Sequence, residues 1–439
     1  MSRIIANWWR SQQFKLAIRR GNTRQAMQLL QEIQKSGARL SWLEKLFRDK
    51  LQLEISSQQY KQEVKTLKNN LNDTLQELEN RNLDFLTQPQ NRQVLVPKQE
   101  FIESVYKKFN LKYHDQTKLQ CTGIDQDIFN DIEENLIAYL QDELSKIPEK
   151  QLKLKLEDAL KDINNLKIGQ DPSYAFSLTP HVYFMKYFLE NVYCLYLAWF
   201  LVYEAGLLSK NINILDIAAG PGTVAYGLAL FLQSSIGFLQ IPQMHISYYS
   251  LEKQDAFQYR GLQFWRRYIE SRKSLINAYF RFVTDDIFNF NSQSSNLPEN
   301  FFDFIIISHC FFLESNKKQQ ANSIYNKIIN RSIKINGYVI LIIQDKKLFK
   351  FYDMPRTEDI SQEKYIVNQF VSDLDLDLVW YRYLTSRDSR RPCSAIEFAK
   401  FADEKLPKQL YMTSLIQKYF DQRHNSNYKL DDYVILAKK

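Results

Sequence analysis

Hydrophobic and polar positions follow two different rhythms along this chain. Up to about residue 180 the apolar residues recur three or four apart, as on one face of a helix, whereas from residue 212 they come in short unbroken runs. The runs at residues 212–217, 244–251, 278–283, 301–309, 336–343, 376–384 and 433–437 are rich in β-branched and aromatic residues and predict strands. Residues 223–232, 253–268 and 319–335 lie between them and predict helices. Alternating strand and helix predict a doubly wound α/β sheet of seven strands. The run at 301–309 is apolar enough to be buried on both faces, as a parallel sheet requires. One segment stays ambiguous: residues 387–427 hold either an inserted substrate-binding helix pair or, at 394–401, the true seventh strand.

The region before the sheet predicts an all-helical architecture. No proline occurs before Pro89. Ala26, Leu29, Leu30 and Ile33 share one face, like half of a helical hairpin, and no second copy is present to make a repeat array. Ile55, Val64, Leu67, Leu71, Leu75 and Leu78 follow mostly three or four apart, which predicts a short coiled coil formed within one chain or in a homodimer. Pro89 and Pro97 bracket a polar break at 88–93, read as a linker. Helical spacing resumes over 98–168, with Ile128, Ile132, Leu136, Tyr139 and Leu140 on one face and Pro148 dividing it from 152–166. Three regions result: 1–88, helical; 89–180, a helical linker and lid; and 181–439, the α/β domain. The loop 171–180 is the lid segment, with Tyr174 either facing the site or packed within the loop.

Charge and cysteine content narrow the setting. The net charge of +8 permits RNA binding without requiring it. Cys121, Cys194, Cys310 and Cys393 are far apart and form no paired motif, so no metal site or disulfide framework is expected and a cytoplasmic setting is. The longest apolar run, residues 192–203, is too short to span a bilayer and reads as a buried helix before the first strand. Arg3, Arg10, Lys15, Arg19, Arg20 and Arg24 precede the first acid, Glu32, with Trp8 and Trp9 among them. That pattern suits peripheral contact with an anionic membrane, a targeting segment, or a helix packed by its tryptophans on its own domain. Arg387, Arg390 and Arg391 form a second basic cluster, either facing an acidic substrate or solvated.

Glycine is scarce, at 11 of 439 residues, yet Gly220 and Gly222 stand together between the first strand and its helix. A turn without side chains beside a helix N-terminus can press its backbone on a ligand. Asp216 ends the preceding strand. A carboxylate there repels a pyrophosphate and suits an ammonium or sulfonium. The stretch Gly220-Pro-Gly222-Thr-Val-Ala225 also matches the dinucleotide pattern, but the acid at Glu252 arrives about thirty positions on rather than about twenty.

The sequence Asp216-Ile-Ala-Ala-Gly220-Pro-Gly222-Thr resembles the first motif of the class I S-adenosylmethionine-dependent methyltransferases, with Ala218 in place of the first glycine. The resemblance covers roughly residues 180–439 and implies a Rossmann-like methyltransferase sheet whose last strand is antiparallel. It implies S-adenosyl-L-methionine as cofactor: Asp216, Ala218, Ala219, Gly220 and Gly222 at the methionine end, Glu252 on the ribose, Asp286 or Asp285 on the adenine. The post-strand motif would begin at Ser308, with His309 as general base and Cys310, Phe311, Phe312 and Glu314 as the adjoining wall. The acceptor is expected to be a small molecule. Phe311 to Glu314 with the Asp216 turn also resembles a methyltransferase-like family of the mitochondrial small ribosomal subunit, which keeps rRNA methylation or ribosome assembly open. A non-catalytic scaffold with this fold is the third reading.

Overall fold

The computed structural model describes residues 3–20, 22–37, 94–168, 170, 172–238, 244–272, 276–290, 297–356, 358–391, 393–420 and 426–439. The coiled coil expected over residues 51–86 and the linker expected over 88–93 lie outside the described residues. The chain forms two compact units, Met1–Asn91 and Arg92–Lys439.

In the first unit Arg3–Arg19 and Thr23–Lys35 are helices. Asn22 starts the second by accepting the N–H of Gln25. Phe14 and Ala17 meet Ala26, Leu29 and Leu30 in a small core, so the apolar face read from the sequence is buried. Trp9 stands outside that core, 59 % exposed.

The second unit is built on one sheet. Its strands are β1 (Leu111–Tyr113), β2 (Lys118–Cys121), β3 (Asn211–Ile217), β4 (Met244–Glu252), β5 (Ile276–Thr284), β6 (Phe302–Ser308), β7 (Ile333–Gln344), β8 (Asp377–Thr385) and β9 (Asp431–Lys438). They lie in the order β1-β2-β8-β9-β7-β6-β3-β4-β5. Strands β3 to β7 are parallel, and β9 enters antiparallel between β7 and β8.

Among the described residues the sheet has nine strands, which corrects the expected seven. The seven runs read from the sequence are β3 to β9; the hairpin β1–β2 extends the edge in a region expected to be wholly helical. Strands this short show no period of their own, and the hairpin is held by distant partners. Lys118 pairs with Tyr383 of β8, and Arg390 reaches from beyond β8 to Asp115 in the hairpin and, at 2.9 Å, to Glu363. The Arg390 side chain is only 9 % exposed, so it is not solvated and fastens the hairpin to the sheet, whereas the Arg391 side chain is 75 % exposed.

Two further differences are local. The helix Ser315–Ser332 stops before residue 333, where β7 begins, so residues 333–335 are strand rather than helix. Residues 394–401 are not a strand; Ser394 and Glu397 form a reciprocal capping box that starts the helix Ala395–Lys405. With Leu410–Phe420 this segment holds a helix pair.

Period-two alternation divides the sheet's side chains between two cores. Ile214, Tyr248, Phe304, Ile306, Ile340 and Val434 belong to one, and Leu215, Tyr249, Ile305, Ile307, Leu341 and Tyr433 to the other. The helix Leu189–Glu204 is apolar all round, with 13 of its residues buried, as expected for a helix enclosed on every side. It packs in the first core, and there Trp199 Nε1 donates to the Val224 carbonyl at 3.1 Å.

Candidate functional site

The turn between β3 and the helix Thr223–Ser234 needs an unusual backbone. Ala218, Gly220 and Gly222 all have positive φ, at 56°, 52° and 83°. A left-handed residue bearing a Cβ costs about 1–2 kcal/mol, and Ala218 carries that strain at the position where the resembling motif has glycine. The Gly222 N–H closes the turn on the Ala219 carbonyl at 2.9 Å. Behind it, a Cβ on Gly261 would stand 2.2 Å from the Pro221 carbonyl oxygen. Glycine therefore lets the helix Asp255–Tyr268 press directly against the turn.

Asp216 lies one residue before the end of β3, on the face that carries Ile212 and Ile214. It is 1 % exposed, and its carboxylate accepts a short hydrogen bond from the Tyr248 hydroxyl. The register sets Tyr248 opposite Ile214, a proximity that the sequence alone does not reveal. Burial pushes the Asp216 pKa up to about 8; the Tyr248 hydroxyl opposes the rise and the Glu252 charge adds to it.

Glu252, the last residue of β4, clasps the turn. Its Oε2 accepts the Gly220 N–H at 2.8 Å and its Oε1 accepts the Gln254 N–H at 2.9 Å. Burial raises its pKa, and the N–H groups of Gln254 and Gly220 partly restore the charged form. Next along the strand ends, the Asp285 N–H donates to the Glu252 carbonyl at 3.1 Å while its side chain is exposed. Asp286 is differently engaged: it caps the short helix Ile287–Asn289 through the Phe288 N–H at 3.0 Å and pairs with Lys253 at 2.8 Å.

On the other side of β3, β6 ends at Ser308, whose Oγ is buried without a hydrogen-bond partner among the described residues. His309 follows with φ of 61°. Its N–H donates to Ile342 of β7 at 2.8 Å, and Lys347 Nζ approaches its carbonyl at 3.4 Å. The imidazole Nδ1 stands 3.7 Å from Oδ1 of Asp432, at the start of β9. Burial pushes the His309 pKa down to about 4, with the Lys347 charge adding to the effect. Burial pushes Asp432 up to about 7, reinforced by the Asp431 charge.

The expected wall is split. Phe311 turns into the second core, Phe312 lies 5.2 Å from the Phe288 ring, and the Cys310 carbonyl accepts the Tyr325 hydroxyl at 2.7 Å. Glu314 precedes the helix Ser315–Ser332 at its N-cap. In the loop expected as a lid, Asp162 accepts the N–H groups of Ser173 and Tyr174 at 2.7 and 2.8 Å. Tyr174, also left-handed, sets its ring edge-on to Phe257 at 5.5 Å, and Tyr183 does the same at 5.2 Å. A depression of about 680 Å³ lined by Tyr139, Glu143, Lys146 and Arg266 is formed by other elements.

The structure thus brings together Asp216, Ala218, Ala219, Gly220, Gly222, Glu252 and Asp285 at adjoining strand ends, with Ser308 and His309 at the end of the neighbouring β6. It gives Asp286 other partners. Tyr248 and Asp432 are the residues that sequence reasoning missed. The group implied by the motif fits this cradle on two counts. A Cβ on Gly220 would meet nothing within 4 Å, so that side of the turn is open; and the buried Ser308 Oγ has a hydrogen bond still to make. Among the described residues no cluster of His, Cys, Asp and Glu converges as a metal-ligand set, and no helix is long and apolar enough to cross a membrane.

Five parallel strands, an antiparallel strand inserted beside the fifth, and a glycine turn after the first of them make this the fold of the class I methyltransferases. No family model matches the chain, and no curated protein matches it in sequence. Among solved structures it is similar to a SAM-dependent methyltransferase from Methanosarcina mazei, at 15 % identity over 53 % of this chain and 94 % of that one, TM-score 0.28. It is also similar to the fibrillarin pre-rRNA processing protein of Methanococcus jannaschii, at 13 % identity over 52 % and 66 %, TM-score 0.28. The MccD protein is a third, at 11 % identity over 55 % and 96 %, TM-score 0.30.

Proposed function

We propose that the chain is an S-adenosylmethionine-dependent methyltransferase. The observation that carries this reading is the meeting of Asp216, the open Gly220 turn and Glu252, joined by the hydrogen bond from Gly220 to Glu252. When bound, the cofactor supplies a methyl group already activated on its sulfonium. Asp216 and the backbone from Ala218 to Gly222 would hold its methionine end. The Glu252 carboxylate, with lone pairs beyond the two N–H bonds it accepts, would take the ribose hydroxyls. The adenine amino group would go to Asp285, whose side chain is exposed and whose N–H is tied to the Glu252 carbonyl, or to Asp286, which caps at Phe288 and pairs with Lys253. Ser308 Oγ would satisfy a further polar contact. His309 would take a proton from an acceptor that carries one. Most of the catalysis then lies in alignment, which can lower a barrier by about 7–11 kcal/mol in favourable cases.

We propose a small molecule as the acceptor. Calorimetry with S-adenosylhomocysteine tests the cofactor. Saturable binding below millimolar ligand is expected, and no heat at millimolar concentration overturns the reading. Binding of a nicotinamide dinucleotide in its place would favour the dinucleotide alternative.

A further inference from the structure

Two features at the end of β6 need a common explanation. His309 is held in left-handed backbone at φ of 61°, and strain of this kind persists only where the surroundings enforce it. Here the enforcement comes from the His309 N–H on Ile342 and from Lys347 at its carbonyl. The consequence is that the ring is carried to β9, where Nδ1 faces Asp432. Both His309 Nδ1 and Asp432 Oδ1 are buried, and neither has a hydrogen-bond partner among the described residues. The 3.7 Å between them is slightly beyond a hydrogen bond. The two groups approach without bonding, and catalytic hydrogen bonds are often long before ligands bind.

We propose that Asp432 is a positioning residue that selects the Nδ1–H form of His309 and so leaves Nε2 free to take the acceptor's proton. The proposal rests on the methyltransferase reading of the site. With Nδ1 enclosed and the side chain 24 % exposed, the ring edge bearing Nε2 is the one turned outward. As the acceptor's lone pair bonds the methyl carbon, the carbon–sulfur pair stays on sulfur and the acceptor's proton passes to Nε2. Nδ1–H then donates to the Asp432 carboxylate, which balances the imidazolium until the proton leaves to water. This is the role that an orienting carboxylate plays toward a histidine base in other enzymes.

The groups that bias the pair are defined. Lys347 faces His309. Asp431, Glu190 and Asp345 face Asp432, and Cys194 and Lys429 interact with it from the helix Leu189–Glu204 and from the segment before β9. The test is nitrogen NMR of the full chain labelled at its five histidines, His114, His181, His245, His309 and His424, with His309 assigned by the signals lost in His309→Gln. Above pH 7, where Asp432 is ionised, His309 is expected in the Nδ1–H form. Asp432→Asn is expected to move it toward Nε2–H, and Asp432→Glu to restore much of the Nδ1–H form. A wild-type His309 that is Nε2–H throughout that range overturns the proposal, whatever the variants do, as does the same tautomer in wild type and a folded Asp432→Asn. S-adenosylhomocysteine calorimetry on the same samples separates the two ideas, because loss of the tautomer effect with binding intact rejects only the role of Asp432.

Discussion

The Glu252 carboxylate accepts the Gly220 N–H at 2.8 Å, so the acid that ends β4 also clasps the turn that follows β3. One residue therefore shapes the cradle and, under the proposed function, would offer the ribose contact. Glu252→Gln keeps the size and removes the charge, and its amide nitrogen must face one of the two N–H donors. A hydrogen bond to a charged group contributes about 1.5–3 kcal/mol. The expected result is a lower melting temperature together with about ten- to a hundredfold weaker binding of S-adenosylhomocysteine. Calorimetry and thermal unfolding on the same preparation check both, and unchanged values for both would remove Glu252 from the site.

Under the proposed function, Asp216 would make cofactor binding depend on pH. Its folded pKa of about 8 lies above the ordinary carboxylate range, so the folded state holds the extra proton over that interval. The associated stabilisation is full at low pH and is lost as pH rises through about 8. A ligand bearing an ammonium prefers the carboxylate, so binding expels the proton. Affinity for S-adenosylhomocysteine is expected to rise with pH below that value, by up to about tenfold per unit. Calorimetry near neutral pH in buffers of different ionisation enthalpy should register about one proton released. Asp216→Asn should abolish both effects, and a flat pH profile in the wild type would show that Asp216 does not meet the cation.

Much of this site was legible because its residues are bound to local pattern. Asp216, Gly220, Gly222 and Glu252 sit where an apolar run stops, and a strand end is visible in sequence. What stayed hidden depends on pairing between distant segments. Tyr248 reaches Asp216 only through the β3–β4 register. Asp432 reaches His309 only because β9 enters beside β7, on which His309 is also pinned. The hairpin β1–β2 carries no period of its own and is fixed by Arg390 from far along the chain. Asp286 shows the opposite case: a cap and a ligand acceptor share one local signature, and the structure shows the cap at Phe288 together with a pair to Lys253.

Ala218 offers the reverse experiment, a substitution expected to help. Its φ of 56° is left-handed, and glycine adopts that conformation without the penalty of a Cβ. Against this, glycine gives the unfolded chain more freedom, a loss of about 0.4–1 kcal/mol, while relief of the backbone strain returns about 1–2 kcal/mol. The net gain expected for Ala218→Gly is therefore small, on the order of 1 kcal/mol or less, with a modest rise in melting temperature. The turn should still close on Ala219 through Gly222, so affinity for S-adenosylhomocysteine should be retained or improved. Denaturant unfolding beside calorimetry tests this. A clear loss of stability would mean that the alanine methyl packs in the turn more strongly than its backbone is strained.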